Sequence, residues 1–464
     1  MKTNFGTLAL AALVGTAASA VSAATASIEG FTAVGGASGV TITYTLTGAG
    51  YVTAEVLCGD TPLSGVGRIT GDVNRKFAEG GTYKAYWYPD KADEKASYAA
   101  SSLKVRLNVR DLTDAPDYCV VDLTRAQYIR YYENAVSVPM GITNDLYKTD
   151  FTAFRRIHVT NQPFLLGGVK PVTLTNDYWI GVFPLTKYQY ETTAAAYPSQ
   201  WADEEDDMRC PASWLSEYVL FGFQLFDNGG RKLSNWNADG PGKFMYKLNA
   251  DYFNGDHTCV ADFKPFGVTE AQWEYACRGG SDEDYYGYTA DEVAWHAGNS
   301  GGKLHPVGLK KPNGYGLYDM LGGIRELTLD GYRALDTTPA TDWYRYPGDT
   351  DHNDLYRGGC YLDDADKCKV TSRRGDSSGT GWKYGTAYVE QGFRLGTTLP
   401  LTMLSATGTK ASFEATIASA VDTRYQDDEP GTLATFDSAG FVLRVISNAC
   451  DLYGVTPGML LFLR

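Results

Sequence analysis

At 464 residues the chain exceeds what one hydrophobic core usually organises, so two or three domains are expected. A formal charge of −14, with no basic cluster larger than Arg373-Arg374, excludes a protein that grips phosphate backbones. High glycine and tyrosine (51 and 33 residues) with only 21% charged side chains favour strands and ordered loops over long solvated helices.

Lys2, an apolar run from Leu8 to Val14 and a small-residue tract to Ala24 have the order of a secretory signal. Residues 1–23 are therefore expected to be removed after Ala23, and the product to be secreted, periplasmic or cell-surface. The apolar run is too short to span a bilayer, and no later segment reaches the roughly 18 apolar residues a membrane helix needs, so no membrane span is expected.

From 24 to 118 the pattern is strand after strand. Val40, Ile42, Tyr44 and Leu46 alternate with threonines, and Leu103, Val105, Leu107 and Val109 alternate with polar residues, the period of a half-buried strand. Gly48-Ala49-Gly50, Gly80-Gly81 and Pro89-Asp90 punctuate them, which predicts an all-β sandwich of immunoglobulin or fibronectin type acting as a spacer or adhesion module. Residues 119–150 read as a connector with one strand at Cys119 to Leu123.

Between 151 and 396 short strands, irregular loops and a few helices mix. The clearest helix runs from Thr269 to Arg278, where Thr269 and Gln272 form a capping box and Gly279 supplies the stop. Trp273, Ala276 and Cys277 share its inner face. Further helices are expected after Thr186 and from Ser213 to about Leu225. The segment 397–464, with one alternating strand at Phe441 to Ile446 and an acidic turn at Asp427-Asp428-Glu429, has no assignable fold.

The eight cysteines (Cys58, Cys119, Cys210, Cys259, Cys277, Cys360, Cys368 and Cys450) include no C-x-x-C, and the five histidines stand apart, so neither zinc nor a facial-triad iron is expected. Cys360 with Cys368 and Cys58 with Cys119 are candidate disulfide pairs in an oxidising compartment. Asp349, Asp351 and Asn353 imitate the start of an EF-hand loop, but Asp354 stands where the loop's glycine belongs, so the run reads as an acidic loop. No nucleophile elbow and no phosphate-cradling glycine loop is present.

Read in order, Phe164-Leu165-Leu166-Gly167, Tyr178-Trp179-Ile180-Gly181, Thr269 to Gly280, Pro312-Asn313-Gly314-Tyr315-Gly316-Leu317-Tyr318-Asp319-Met320, Arg357-Gly358-Gly359 and Gly392-Phe393-Arg394-Leu395 form a series of blocks. The series resembles the sulfatase-modifying-factor family, whose best-known member is the formylglycine-generating enzyme. The resemblance implies an α+β fold, a formylglycine-generating-enzyme-like, C-type-lectin-related core over 151–396, and with the β-sandwich and the secretory signal read above the whole is expected to be an exported multi-domain protein. In the enzyme branch it further implies oxidation of a sulfatase cysteine by copper held between two thiolates.

Counting from Arg357, the family's second cysteine falls on Cys368 but its first falls on Asp363, and Cys360 replaces a usual serine. A carboxylate is a hard donor and a poor substitute for a soft one, so copper is not expected. The resemblance also implies calcium ligands. Asn299 matches one, while the family's G-N-x-W-E-W block reads Gly322-Gly323-Ile324-Arg325-Glu326-Leu327, keeping Glu326 but placing glycine at the asparagine. The expected function is a non-catalytic binding or recognition module for a protein or glycan surface, with Trp343, Tyr344, Trp382 and Tyr384 as aromatic contact candidates. The alternative is a divergent oxidoreductase acting on a protein cysteine through Cys368 with Cys360.

Overall fold

A computed structural model describes residues 26–36, 39–63, 67–89, 97–98, 100–124, 128–194, 207–216, 219–220, 244–248, 267–344, 354–375, 388–397, 410–419, 421–422, 433–436 and 441–444. The described residues form mostly β-sheets with few helices.

The first unit contains two antiparallel sheets. One orders Ser27–Gly36, Gly39–Thr47, Gly81–Pro89 and Gly67–Gly71; the other orders Lys410–Thr416, Leu103–Arg110, Gly50–Cys58 and Thr61–Pro62. The alternation read from sequence is what buries them: Val40, Ile42, Tyr44 and Leu46 from one sheet and Leu103, Val105, Leu107 and Val109 from the other enter a single core with Trp87 and Phe77. Here the structure adds to the sequence reading. The strand Lys410–Thr416, from the stretch left unassigned, pairs antiparallel with Leu103–Arg110 from Lys104 to Arg110.

The stretch 119–150 is also more than a connector. Tyr118–Asp122 and Ile129–Tyr132 pair with each other, and Tyr118–Asp122 pairs onward to Phe151–Ile157, giving a five-stranded sheet that continues through Tyr178–Gly181 to Gly396–Thr397. Five consecutive buried residues in Tyr118–Asp122 explain this, because a strand covered on both faces belongs to a core.

A second sheet orders Arg373–Arg374, Asp354–Arg357, Arg325–Gly331 and Gln391–Phe393, the last pair parallel. Helix Glu270–Arg278 packs against it, begun by the expected capping box, in which Thr269 Oγ1 accepts from Gln272 N and Gln272 reciprocates, and ended by Gly279 at φ 57°. Lys187–Ala194 follows Thr186 as a helix, as expected. The helix expected from Ser213 starts later: Ser213 to Ser216 are irregular, with Trp214 at φ 57°, because Trp214 N and Leu215 N bond to Tyr388 and Gln391 carbonyls instead of to a helical turn. Within the expected span only 219–220 are described as helical, and 217–218 and 221–225 lie outside the described residues.

The two units meet through Tyr51, which packs edge-on against Tyr131 (4.8 Å), and through Glu133, which accepts from Thr53, Arg110 and Lys410. No helix of the described residues is long and apolar enough to cross a membrane.

Candidate functional site

The strand Asp354–Arg357 delivers the chain to Gly358 and Gly359, at φ 90° and 73°. Both lie in the left-handed region that favours glycine, and a Cβ on Gly359 would come within 2.7 Å of the Lys367 carbonyl and 2.8 Å of Cys368 Sγ. This close approach folds the segment 359–368 back on itself. Cys368 Sγ then lies 3.7 Å from the carbonyl oxygen of Cys360.

Arg357, fully buried, holds the far side of this loop. Its guanidinium donates to the carbonyls of Val370, Thr371 and Ser372 and pairs with Glu274 of the helix. The R-G-G block is therefore a fixed corner: a charge that ties the loop down and two glycines that let it turn.

Asp363, at the family's first cysteine position, faces Arg325. Its carboxylate accepts Nε at 3.0 Å and Nη2 at 2.7 Å in a two-point pair, and Oδ2 also accepts the Cys360 amide at 3.1 Å. On its other side Arg325 donates to Glu390 at 2.9 Å. Burial alone would raise the Asp363 carboxyl, but the bonds and charge of Arg325 hold it below the usual range. Arg325 occupies the tryptophan place of the G-N-x-W-E-W block, so the site departs from the family pattern at both of these contacting positions.

Both thiols are buried, and burial pushes each up to about 12. They are protonated at neutral pH, and they are unbonded, as are Cys58 and Cys119. A soft copper ion needs two converging thiolates. The donors present are two neutral thiols, a hard carboxylate already gripped at both oxygens, and a guanidinium whose charge opposes a cation, and this set does not fit it.

Glu326 is fully buried. Its oxygens accept from Arg394 at 2.6, 2.9 and 3.0 Å and from the indole of Trp273 at 2.6 Å. Arg394 also donates to the carbonyls of Gly181 and Tyr318. Four sequence blocks thus converge on one buried pair, a role that reading them separately does not reveal. Asn299 sits in a turn, its oxygen accepting from His296 N and its amide donating to Ala294 O and Asp291. The structure does not bring Asn299 and Glu326 together, and their polar atoms serve these partners, so the pair does not fit an oxygen cage for calcium. Among the described residues no group of three or more ligating side chains stands together.

Trp343 is half-buried against the core that includes Trp273, with Lys170 Nζ 5.6 Å from its ring, and Tyr344 is half-buried beside it. Trp382, Tyr384 and the acidic run 349–353 lie outside the described residues.

Comparison with known proteins agrees with the block reading. Residues 268–397 match the family model of the sulfatase-modifying factor enzyme 1-like domain. The chain is 27% identical over 205 residues to a protein named Chaperone protein LppX from Paenibacillus barcinonensis, an overlap of 38% of this chain and 69% of that one. Among solved structures, Treponema denticola variable protein 1 is similar at a TM-score of 0.39 and 25% identity, over 53% of this chain and 95% of its own. PvdO from Pseudomonas aeruginosa is similar at a TM-score of 0.39 and 15% identity, over 53% of this chain and 94% of its own.

Proposed function

Starting from residues 268–397 as a sulfatase-modifying factor enzyme 1-like domain, we propose that the chain is an exported, non-catalytic binding protein in which that domain displays a recognition surface. The two-sheet unit in front, read as an immunoglobulin- or fibronectin-like sandwich, serves as its spacer. One observation carries the proposal: the ion pair between Arg325 and Asp363 stands where the enzyme branch places a metal-binding cysteine. The guanidinium charge opposes the binding of a cation, while burial and the Asp363 carboxylate, against the pull of Arg325, keep the two thiols protonated. The name of the Paenibacillus relative, a chaperone, favours a protein as the partner over a small substrate.

The test uses the full chain, reduced and offered copper(I) against a competing chelator, then incubated in air with a peptide carrying a sulfatase-type cysteine motif. The expected result is no retained copper and an unchanged peptide by mass spectrometry. Conversion of that cysteine to an aldehyde would make the chain an oxidoreductase and end the binding-protein reading.

A further inference from the structure

Beside the Arg325–Asp363 pair the folded-back loop leaves a cavity of about 260 Å³. Four cations line it from three elements: Arg325 at the start of its strand, Lys367 from the short turn Ala365–Lys367, and Arg373 and Arg374 from the neighbouring strand. Two carboxylates line it as well, Asp363, engaged by Arg325, and Asp366 on the exposed rim. Its lining is therefore cationic in a chain whose net charge is −14.

The cations differ in how they are held. Arg325 is clamped by Asp363 and Glu390, and Arg373 by Glu270 and the carbonyl of Arg333, so these two guanidinium groups are fixed before anything binds. Their three acidic partners, Asp363, Glu390 and Glu270, outweigh these two charges, so the pair supplies short-range, directional donors and the attracting charge comes from Lys367 and Arg374. Lys367 and Arg374 are exposed at the mouth, and Lys367 reaches its nearest carboxylate, Asp364, only at 4.0 Å.

We infer that this cavity receives a carboxylate of an acidic peptide segment, the deeper arginines orienting it and Lys367 and Arg374 drawing it in. Charge-assisted, planar donors suit a carboxylate better than a neutral amide. A peptide fits better than a sugar because the one aromatic ring among the lining residues, Tyr356, is 1% exposed and offers no stacking face. The inference rests on the binding-protein reading and names the class of partner for that site.

The test is fluorescence anisotropy of the full chain with labelled hexaglutamate, hexaglutamine and a labelled polyuronic acid, alongside the copper and peptide-oxidation assay on the same preparation. Hexaglutamate is expected to bind at least about tenfold tighter than hexaglutamine, a difference of about 1.4 kcal/mol. Lys367→Glu combined with Arg374→Glu is expected to remove that preference, while Lys303→Glu, an exposed charge outside the cavity lining, leaves it intact. Equal binding of the two peptides, equal loss in the Lys303 variant, or binding of the polyuronic acid alone would each overturn the inference. Because oxidase activity is read separately, a failed anisotropy result with no peptide oxidation discards the acidic partner and leaves the binding-protein reading standing.

Discussion

Glu326 and Arg394, both buried at 1% exposure or less, are joined by three hydrogen bonds across 68 residues of sequence. Arg394 passes the connection to the carbonyls of Gly181 and Tyr318, and Glu326 passes it to the indole of Trp273. A sheet strand, a helix and a loop are therefore positioned by one charge pair. Glu326→Ala would leave the guanidinium buried without its carboxylate, a loss of about 3–5 kcal/mol. Urea unfolding of the variant checks it, and a loss below about 1 kcal/mol would mean that the pair is peripheral to stability.

His158 gives a pH signature that can be assigned to one side chain. Its Nε2 lies 2.7 Å from Asp117 and its Nδ1 2.8 Å from Asp177, and these bonds push its pKa from 6.5 up to about 9. A raised pKa means that the folded state holds the proton more tightly than the unfolded chain. The stabilisation is therefore complete below 6.5, shrinks as pH rises and is gone above about 9. The ring is 43% exposed, so solvent screening makes the effect modest. Asp117 does not confuse the window: burial would raise it, yet His158 and Arg155 lower it to about 2, and its contribution fades only in strong acid. The denaturation midpoint should drop between about pH 6 and about pH 10, and His158→Gln should flatten that drop. An unchanged slope in the variant would place the titration elsewhere.

What could be read in advance was local. The alternation in Gly39–Thr47 and Leu103–Arg110 and the capping box at Thr269 each lie within a few residues, where period and spacing carry the information. Other features depend on groups far apart in the chain. Asp363 could be recognised as an unsuitable copper ligand, but nothing nearby indicates that Arg325, 38 positions earlier, occupies both of its oxygens. Glu326 is adjacent to Arg325 in sequence and pairs instead with Arg394, because neighbouring residues on a strand point to opposite faces. The strand Lys410–Thr416 was illegible for a related reason: as an edge strand it is mostly exposed, and its pattern shows little of the core it joins.

The capping box at Thr269 allows a local test. Thr269→Ala removes the acceptor for Gln272 N at the helix start, where an unsatisfied amide costs about 1 kcal/mol. Gln272→Ala removes only the reciprocal bond to Thr269 N and should cost less. Chemical denaturation of both variants should rank them in that order. The reverse ranking would show that the side-chain oxygen of Thr269 is not what starts the helix.

Ile417 tests whether the strand Lys410–Thr416 is structural in the first unit. Fully buried, it donates its amide to the Leu103 carbonyl at 2.9 Å and bridges Ala33 in the opposite sheet, while the next residue, Ala418, donates to the Ala33 carbonyl. One side chain thus sits between the two sheets and adds to the core that holds Val105 and Ile42. Removing most of it leaves a cavity that the paired sheets cannot easily close, so Ile417→Ala should cost about 2–5 kcal/mol. The loss should be confined to this unit, because Ile417 contributes to its core alone. Hydrogen exchange resolves the two cases: protection should fall in Gly39–Thr47 and Leu103–Arg110 and hold in the helix Glu270–Arg278. Equal loss in all three segments would mean that the units unfold as one, and no loss in Leu103–Arg110 would mean that the strand is only an appendage.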